Sequence, residues 1–308
     1  MDGNLIAYAR SNADVARTSL PGSAERIIEF YEQAGRDYEH WSRGINMHLG
    51  FYRRGMNPLD REAMLEQMNV EIAERLRLDP NGKSLLIDLG CGVGSVTRSV
   101  ARYYSNSIIK GVTIVPSQIK IASDLNAEQK FADRIEMLQG NYVALPLGRR
   151  SADGVWAVES ACYAKGADKD DLIREMARVL KTGGRFVVAD CFIKCPERDL
   201  NRVVRRCYRT VCDCWALAEM PAIDRFVAAL QRHGFSDILV EDISWRAAPS
   251  LAHAPFAVSS FINKKLFAGQ PLNRHSINNL KASLLALVLG LHRSGFSYYL
   301  ISGTRGEH

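Results

Sequence analysis

The chain has 308 residues, 47% hydrophobic and 24% charged, which suits one large globular domain or a domain with a helical addition. Its formal charge of +6 slightly favours an anionic ligand and is too small to imply nucleic acid. Seven cysteines form no C-x-x-C pair and no standard zinc spacing, so reduced thiols in a cytoplasmic protein without a metal site are expected. No secretory segment is expected at the N-terminus, where Leu5 to Ala9 is too short and Asn12 and Asp14 follow. The longest apolar run, Leu284 to Leu291, falls well short of the about 20 residues that span a bilayer.

Residues 1–22 are polar. From Ser23, which can cap a helix, Ile27, Phe30, Tyr31, Ala34 and Tyr38 fall at helical spacing. Aromatics and a histidine then crowd a turn-rich stretch through Tyr38, Trp41, Met47-His48-Leu49-Gly50 and Tyr52. Such a stretch is either core packing, which composition favours, or a lid over a cofactor and an apolar substrate. Asn57-Pro58-Leu59-Asp60 opens a second helix, with Met64, Leu65, Met68, Ile72 and Leu76 on one face.

The rest of the chain is organised around Leu85-Leu86-Ile87-Asp88-Leu89-Gly90-Cys91-Gly92-Val93-Gly94. An apolar strand ends near an acid, three glycines alternate, and Ser95-Val96-Thr97 opens a helix. The alternating glycines let backbone approach a ligand closely. The dinucleotide fingerprint is excluded because Ser95 stands where Gly or Ala is needed, and Ser107 to Gln118 holds no acid for a ribose. Gly82-Lys83-Ser84 is no phosphate loop: it precedes the strand, and Arg77 stands at the required upstream glycine.

Further strands are expected at Ile108 to Val115, Ile135 to Leu138, Gly154 to Val158 and Arg185 to Ala189. A helix opens at Ser117, and another covers Leu172 to Leu180, closed by Lys181 to Gly184. Strands alternating with helices predict an α/β fold, a mostly parallel seven-stranded Rossmann-like sheet with helices on both faces. Later, Arg202, Arg205, Arg206 and Arg209 share a helix face, opposite Leu200, Val203, Val204, Cys207 and Val211. An arginine face is ordinarily a solvated surface, and the alternative is a diphosphate clamp. Ile223 to His233 reads as a helix, and Ile238 to Ile243 and Tyr298 to Ser302 as the last strands. Between those strands, apolar residues including Trp245 and Phe256 can form a lid over a greasy chain or a contact between copies.

Asp88 to Gly94, Gly111 to Gln118, Gly140-Asn141-Tyr142 and Leu180 to Arg185 stand in the order of the motifs of class I S-adenosylmethionine (SAM) dependent methyltransferases, which the chain resembles over residues 80–195. The Tyr38, Trp41, Met47 to Gly50 stretch and Glu159-Ser160-Ala161-Cys162-Tyr163-Ala164 resemble the sterol, tocopherol and prenyl-diphosphate C-methyltransferase group. The resemblance implies SAM near Tyr38, Asp88, Gly90, Gly92, Gly94, Thr113, Gln118, Asn141 and Tyr142. In particular, Gln118 would lie near the ribose, with Asn141 and Tyr142 beside the adenine. Two departures stand out. Thr113-Ile114 replaces the acid that many members carry after the second strand, and Tyr163 replaces a histidine of the sterol-type relatives.

Methyl transfer is an in-line displacement that depends on alignment of donor and acceptor. An alkene acceptor is left as a carbocation, which needs π-faces or a carboxylate nearby and then a base. Glu159, at the C-terminal end of the fourth strand, is the first candidate, and Tyr163, four residues on, and His48 are the other catalytic candidates. Trp41, Tyr52, Arg53, Arg205, Arg206, Trp245 and His253 are candidate substrate contacts.

The expected organisation is an N-terminal helical lid at 1–78 and a core at 79–308, with substrate-cap insertions near 192–222 and 245–292. The expected activity is C-methylation of an isoprenoid double bond, on a prenyl diphosphate that can bring Mg2+ with it. Alternatives are a sterol, tocopherol-like or other secondary-metabolite acceptor, or a non-catalytic SAM-binding scaffold. No stable membrane insertion is expected, and a homo-oligomer is left open.

Overall fold

The computed structural model describes residues 22–34, 42–269 and 271–307. One seven-stranded sheet has the order β3-β2-β1-β4-β5-β7-β6. Its strands are β1 Leu85–Leu89, β2 Ile108–Thr113, β3 Ile135–Gln139, β4 Ala152–Val158, β5 Leu180–Ile193, β6 Phe235–Asp242 and β7 Phe296–Arg305. The pairs from β3 to β5 are parallel, while β7 runs antiparallel to both β5 and β6. The helices are α1 Gly22–Ala34, α2 Arg61–Leu76, α3 Ser95–Tyr103, α4 Pro116–Glu128, α5 Asp170–Val179, α6 Arg202–Cys214, α7 Ile223–Arg232, α8 Ser244–Ala252, α9 Ala254–Phe267 and α10 Arg274–Leu291.

The central strands are apolar at successive positions because both sheet faces are covered. Ile87, Val155, Val188 and Ile301 meet α5 and α7 in one core. Leu86, Trp156, Val187 and Leu300 meet α2 and α3 in the other. The chain builds outward from β1 through β2 to β3, then returns to place β4 on the other side of β1. That reversal leaves a crevice at the C-terminal ends of β1 and β4, where ligands of such sheets bind.

Several boundaries differ from the sequence expectations. α1 begins at Gly22, so Ser23 lies within the helix and not before it. β2 stops at Thr113 because the Val115 N–H turns to the Thr113 hydroxyl, and Pro116 starts α4. Lys181 to Gly184 does not simply close a helix. It is a bulge inside β5, where the register with β4 passes from Ala152–Leu180 to Gly154–Arg185. Val203 is solvent-exposed, so the inward face of α6 is Val204, Tyr208, Val211 and Cys212. Tyr38 and Trp41 lie outside the described residues.

The segment before α2 lies across the crevice. Ser95 Oγ, at the start of α3, donates to the carbonyls of Gly44 and Ile45 at 2.5 and 3.0 Å. The Gly50 N–H donates to Ser250 Oγ of α8 at 2.8 Å, and the Phe51 N–H to the Met64 carbonyl at 2.7 Å. Asn46 and His48, between these anchors, are buried. The loop is therefore positioned by both the core helices and the cap helix α8. Ser250→Ala leaves the Gly50 N–H without its acceptor, and should cost about 1–3 kcal/mol in urea denaturation with faster amide exchange at Gly50.

Candidate functional site

Two cavities meet behind this loop. The first, about 340 Å³, follows the glycine turn. Gly90, Gly92 and Gly94 all have positive φ, at 86°, 54° and 79°. Gly90 is required by close approach, since a Cβ there would stand 2.5 Å from Ser160 Cβ. At Gly92 a Cβ would stand 2.4 Å from Met47 Cε, in the wall of the cavity. Gly94 does not line the cavity; it is the N-cap residue of α3.

Asp88 is buried beneath the turn and accepts from Thr97 Oγ1 at 2.6 Å. Burial pushes its carboxyl up to about 7, against the pull of that hydroxyl. Thr113 Oγ1 donates to Gln118 Oε1 at 2.7 Å, which leaves the Gln118 amide nitrogen without a protein acceptor among the described residues. Asn141 Oδ1 accepts from the Val143 N–H at 3.1 Å, and Tyr142 OH donates to the Ser160 carbonyl at 2.8 Å. Asp88, Gly90, Gly92, Thr113, Gln118, Asn141 and Tyr142 thus line one cavity.

The second cavity, about 240 Å³, lies between the sheet and the helices after β5 and β6. Trp215, Leu217, Met220, Leu251, Leu289 and Phe296 give it an apolar lining, and the charged side chains facing it are Arg61, Glu159, Asp190 and Arg293. Tyr31, Met47, His48, Glu159 and Tyr163 line both cavities and so form the wall between them. All three sequence-derived catalytic candidates stand in that wall.

Glu159 follows β4 with φ at 46°, a left-handed conformation that costs a non-glycine residue about 1–2 kcal/mol. Its Oε1 accepts from the Leu49 N–H at 2.6 Å and from Tyr298 OH at 2.9 Å. Burial pushes the carboxyl up to about 7, the Leu49 N–H pulls it down, and the nearby Asp190 pushes it further up. His48 places Nδ1 2.9 Å from the Leu49 carbonyl and Nε2 3.2 Å from Asn46 Oδ1. Burial holds its pKa below the ordinary histidine value, outweighing the Leu49 carbonyl. Tyr163 OH lies 3.0 Å from Tyr31 OH.

The substrate candidates do not gather here. Arg53 pairs with Glu71 and Glu74. The Arg205 guanidinium is taken by the carbonyls of Glu197, Arg198 and Leu200, and Arg206 is exposed. None of the four arginines of α6 lines either cavity, so they are not a clamp there. Trp245 is exposed with Arg293 over its ring, and His253 Nε2 lies 2.9 Å from the Pro58 carbonyl. Tyr52 uses its N–H on the Arg246 carbonyl and lines neither cavity.

Sequence reasoning passed over Asp190, Tyr298 and Arg61. Asp190 is buried, with its carboxylate accepting from the Cys162 and Cys191 N–H groups at 2.9 and 2.8 Å. It follows the apolar run Phe186 to Ala189 as Glu159 follows β4, so the same rule would have found it. Tyr298 carries no such signal, because β7 reaches Glu159 only through its antiparallel pairing with β5.

A glycine turn at the switch point, an acid beneath it and a second, apolar cavity across one wall suit a SAM-dependent methyltransferase, and the comparisons with known proteins support that activity. Residues 87–188 match the family model described as a methyltransferase domain. The chain is 28% identical over 235 residues to the methyltransferase GfsG of Streptomyces halstedii, covering 76% of this chain and 81% of that one. It is 29% identical over 254 residues to a chloroplastic tocopherol O-methyltransferase of Arabidopsis thaliana, covering 78% and 72%. Its fold is shared with the geranyl diphosphate C-methyltransferase of Streptomyces coelicolor A3(2), at 17% identity and a TM-score of 0.68 over 92% of this chain and 98% of that one.

Two outcomes are expected. Gly90→Ala meets both the left-handed backbone and Ser160, so stability should fall by about 2–4 kcal/mol, with SAM affinity falling too. Urea denaturation and calorimetric titration measure the two effects. For pH, the fold raises the carboxyls of Glu159 and Asp190 to about 7 and about 6, so it holds their protons more tightly than the unfolded chain. The stability they contribute is complete below about pH 4 and is lost as pH rises through about 6–7. The combined Glu159→Gln and Asp190→Asn variant should therefore lose less stability than the parent between about pH 5 and pH 8, read as urea midpoints at each pH.

Proposed function

We propose that this methyltransferase methylates a carbon of an isoprenoid double bond held in the apolar cavity, with a prenyl diphosphate as the acceptor class. The observation that carries this reading is Glu159, a carboxylate in the wall common to both cavities and fixed by the Leu49 N–H and Tyr298 OH. The residues around the first cavity suit SAM: Gly90 and Gly92 leave the wall to backbone, the Gln118 amide nitrogen serves the ribose, and Asn141 and Tyr142 flank the adenine. SAM supplies an electrophilic methyl group on a sulfonium.

Tyr31 and Tyr163 then keep the acceptor aligned at the wall and offer π-faces to positive charge. Glu159 lowers the energy of that charge and takes the proton that restores the double bond. His48, placed against the Leu49 carbonyl and Asn46, holds the loop edge of the wall. A diphosphate end would meet Arg61 and Arg293, and the Mg2+ it carries would offset the carboxylates of the same cavity. The segment before β1 acts as the lid, and α6 with α8 to α10 as the substrate cap. The similarity to a tocopherol O-methyltransferase supports a second reading: a carboxyl near 7 also suits a general base that removes a hydroxyl proton from an apolar acceptor.

Chromatographic detection of S-adenosylhomocysteine with geranyl, farnesyl and isopentenyl diphosphates, sterols and tocopherol-like phenols separates these acceptors. Glu159→Gln should lower kcat by about 10²–10⁴ while SAM affinity stays within about threefold. In the parent enzyme kcat should rise with pH through about 7 as Glu159 ionises, and this rise should vanish in the variant. Turnover close to the parent's removes Glu159 from the chemistry. Binding of SAM with no acceptor-dependent turnover would favour a scaffold.

A further inference from the structure

The cap helices carry a charge pattern that the methylation chemistry does not use. From α8 to the end of α10, residues 244–291 contain Arg246, Lys264, Lys265, Arg274 and Lys281 and no Asp or Glu. Most of the +6 charge of the whole chain therefore lies on this one segment. Lys264, Arg274 and Lys281 are exposed and make no ion pair among the described residues.

The same segment exposes large apolar side chains. At the end of α9, Phe267 is 93% and Leu266 68% exposed, and Phe256 at its start is 74% exposed. On α10 the positions Arg274, Ile277, Lys281, Leu284 and Leu291 recur at spacings that share one helix face, and each is exposed. Projecting Leu and Phe beside Lys264, Arg274 and Lys281 have the composition of a segment that sits in the interface of an anionic bilayer.

We propose that the α9–α10 end of the cap docks on an anionic lipid surface, with Leu266 and Phe267 among the acyl chains and Lys264, Arg274 and Lys281 at the phosphates. A second copy is a poor occupant because it would set basic residues against basic residues. A projecting tip also offers little of the about 800 Å² per partner that a stable protein interface buries, whereas a lipid interface accepts it. The contact is peripheral, since no described helix is long and apolar enough to cross a membrane. Ala254 and Ala257 of α9 and Ala286 and Gly290 of α10 line the apolar cavity from within. The docked face thus lies on the helices that enclose the acceptor, and this last link alone rests on the function proposed above.

The test is co-sedimentation of the full chain with vesicles of phosphatidylcholine alone or mixed with phosphatidylglycerol, without methyl donor or acceptor, so that it stands apart from the methylation reading. Binding is expected only to the mixed vesicles, and should weaken as salt rises. Lys264→Glu and Lys281→Glu should each lower the partition coefficient by at least about fivefold, and Phe267→Ser by a further about tenfold, with thermal midpoints unchanged. Equal binding to both vesicle types, or none, overturns the proposal. So does a dimer in sedimentation velocity that Phe267→Ser dissolves. Displacement by poly-glutamate together with full binding of the Phe267→Ser variant would mark a surface for acidic protein and would also overturn it.

Discussion

The carboxylate of Glu159 joins parts of the chain that share no neighbouring sequence. It sits on the turn after β4, accepts an N–H from Leu49 in the loop before α2, and accepts a hydroxyl from Tyr298 on β7. Removing either donor would leave a buried oxygen with fewer partners than its charged form requires. The contact therefore fixes the loop, the sheet end and the antiparallel strand together. The wall between the two cavities exists because those three meet at one point.

Burial is what gives the site its chemical character. Asp88, Glu159 and Asp190 are held in low-dielectric surroundings and all have raised pKa values, though each is met by hydrogen-bond donors that favour the charge. None has a cationic side chain bonded to it among the described hydrogen bonds; their partners are backbone N–H and hydroxyl groups. Such carboxylates remain able to respond to positive charge that develops beside them, where a salt bridge would already have neutralised them. The apolar part of the lining strengthens that response by lowering the local dielectric.

Much of this was legible in the residues. The alternation of strands and helices gave the sheet its class, and the glycine turn placed the first cavity, because both depend on local pattern. Glu159 was found by its position after an apolar strand. Asp190 follows the expected strand Arg185 to Ala189 in the same way and was passed over, although the rule applied to it equally; in the structure β5 runs on to Ile193. The arginines of α6 misled because helical spacing shows which residues share a face and not what that face meets. Arg205 turned out to serve three carbonyls of its own approach loop. The dependence of Glu159 on Tyr298 could not be read at all, since it is created by strands brought together over 139 positions of sequence.

The place of β7 has a consequence for how the molecule is assembled. Although it comes after every other strand in the chain, it lies between β5 and β6, which are therefore not joined in one sheet until it arrives. A growing chain that has made β6 holds two strands with facing unpaired edges and a Glu159 lacking its tyrosine. Completion of the sheet and completion of the reactive wall are then a single late event. A partly synthesised chain would lack the Tyr298 hydroxyl at Glu159, and would be most prone to stick to its neighbours through those open edges.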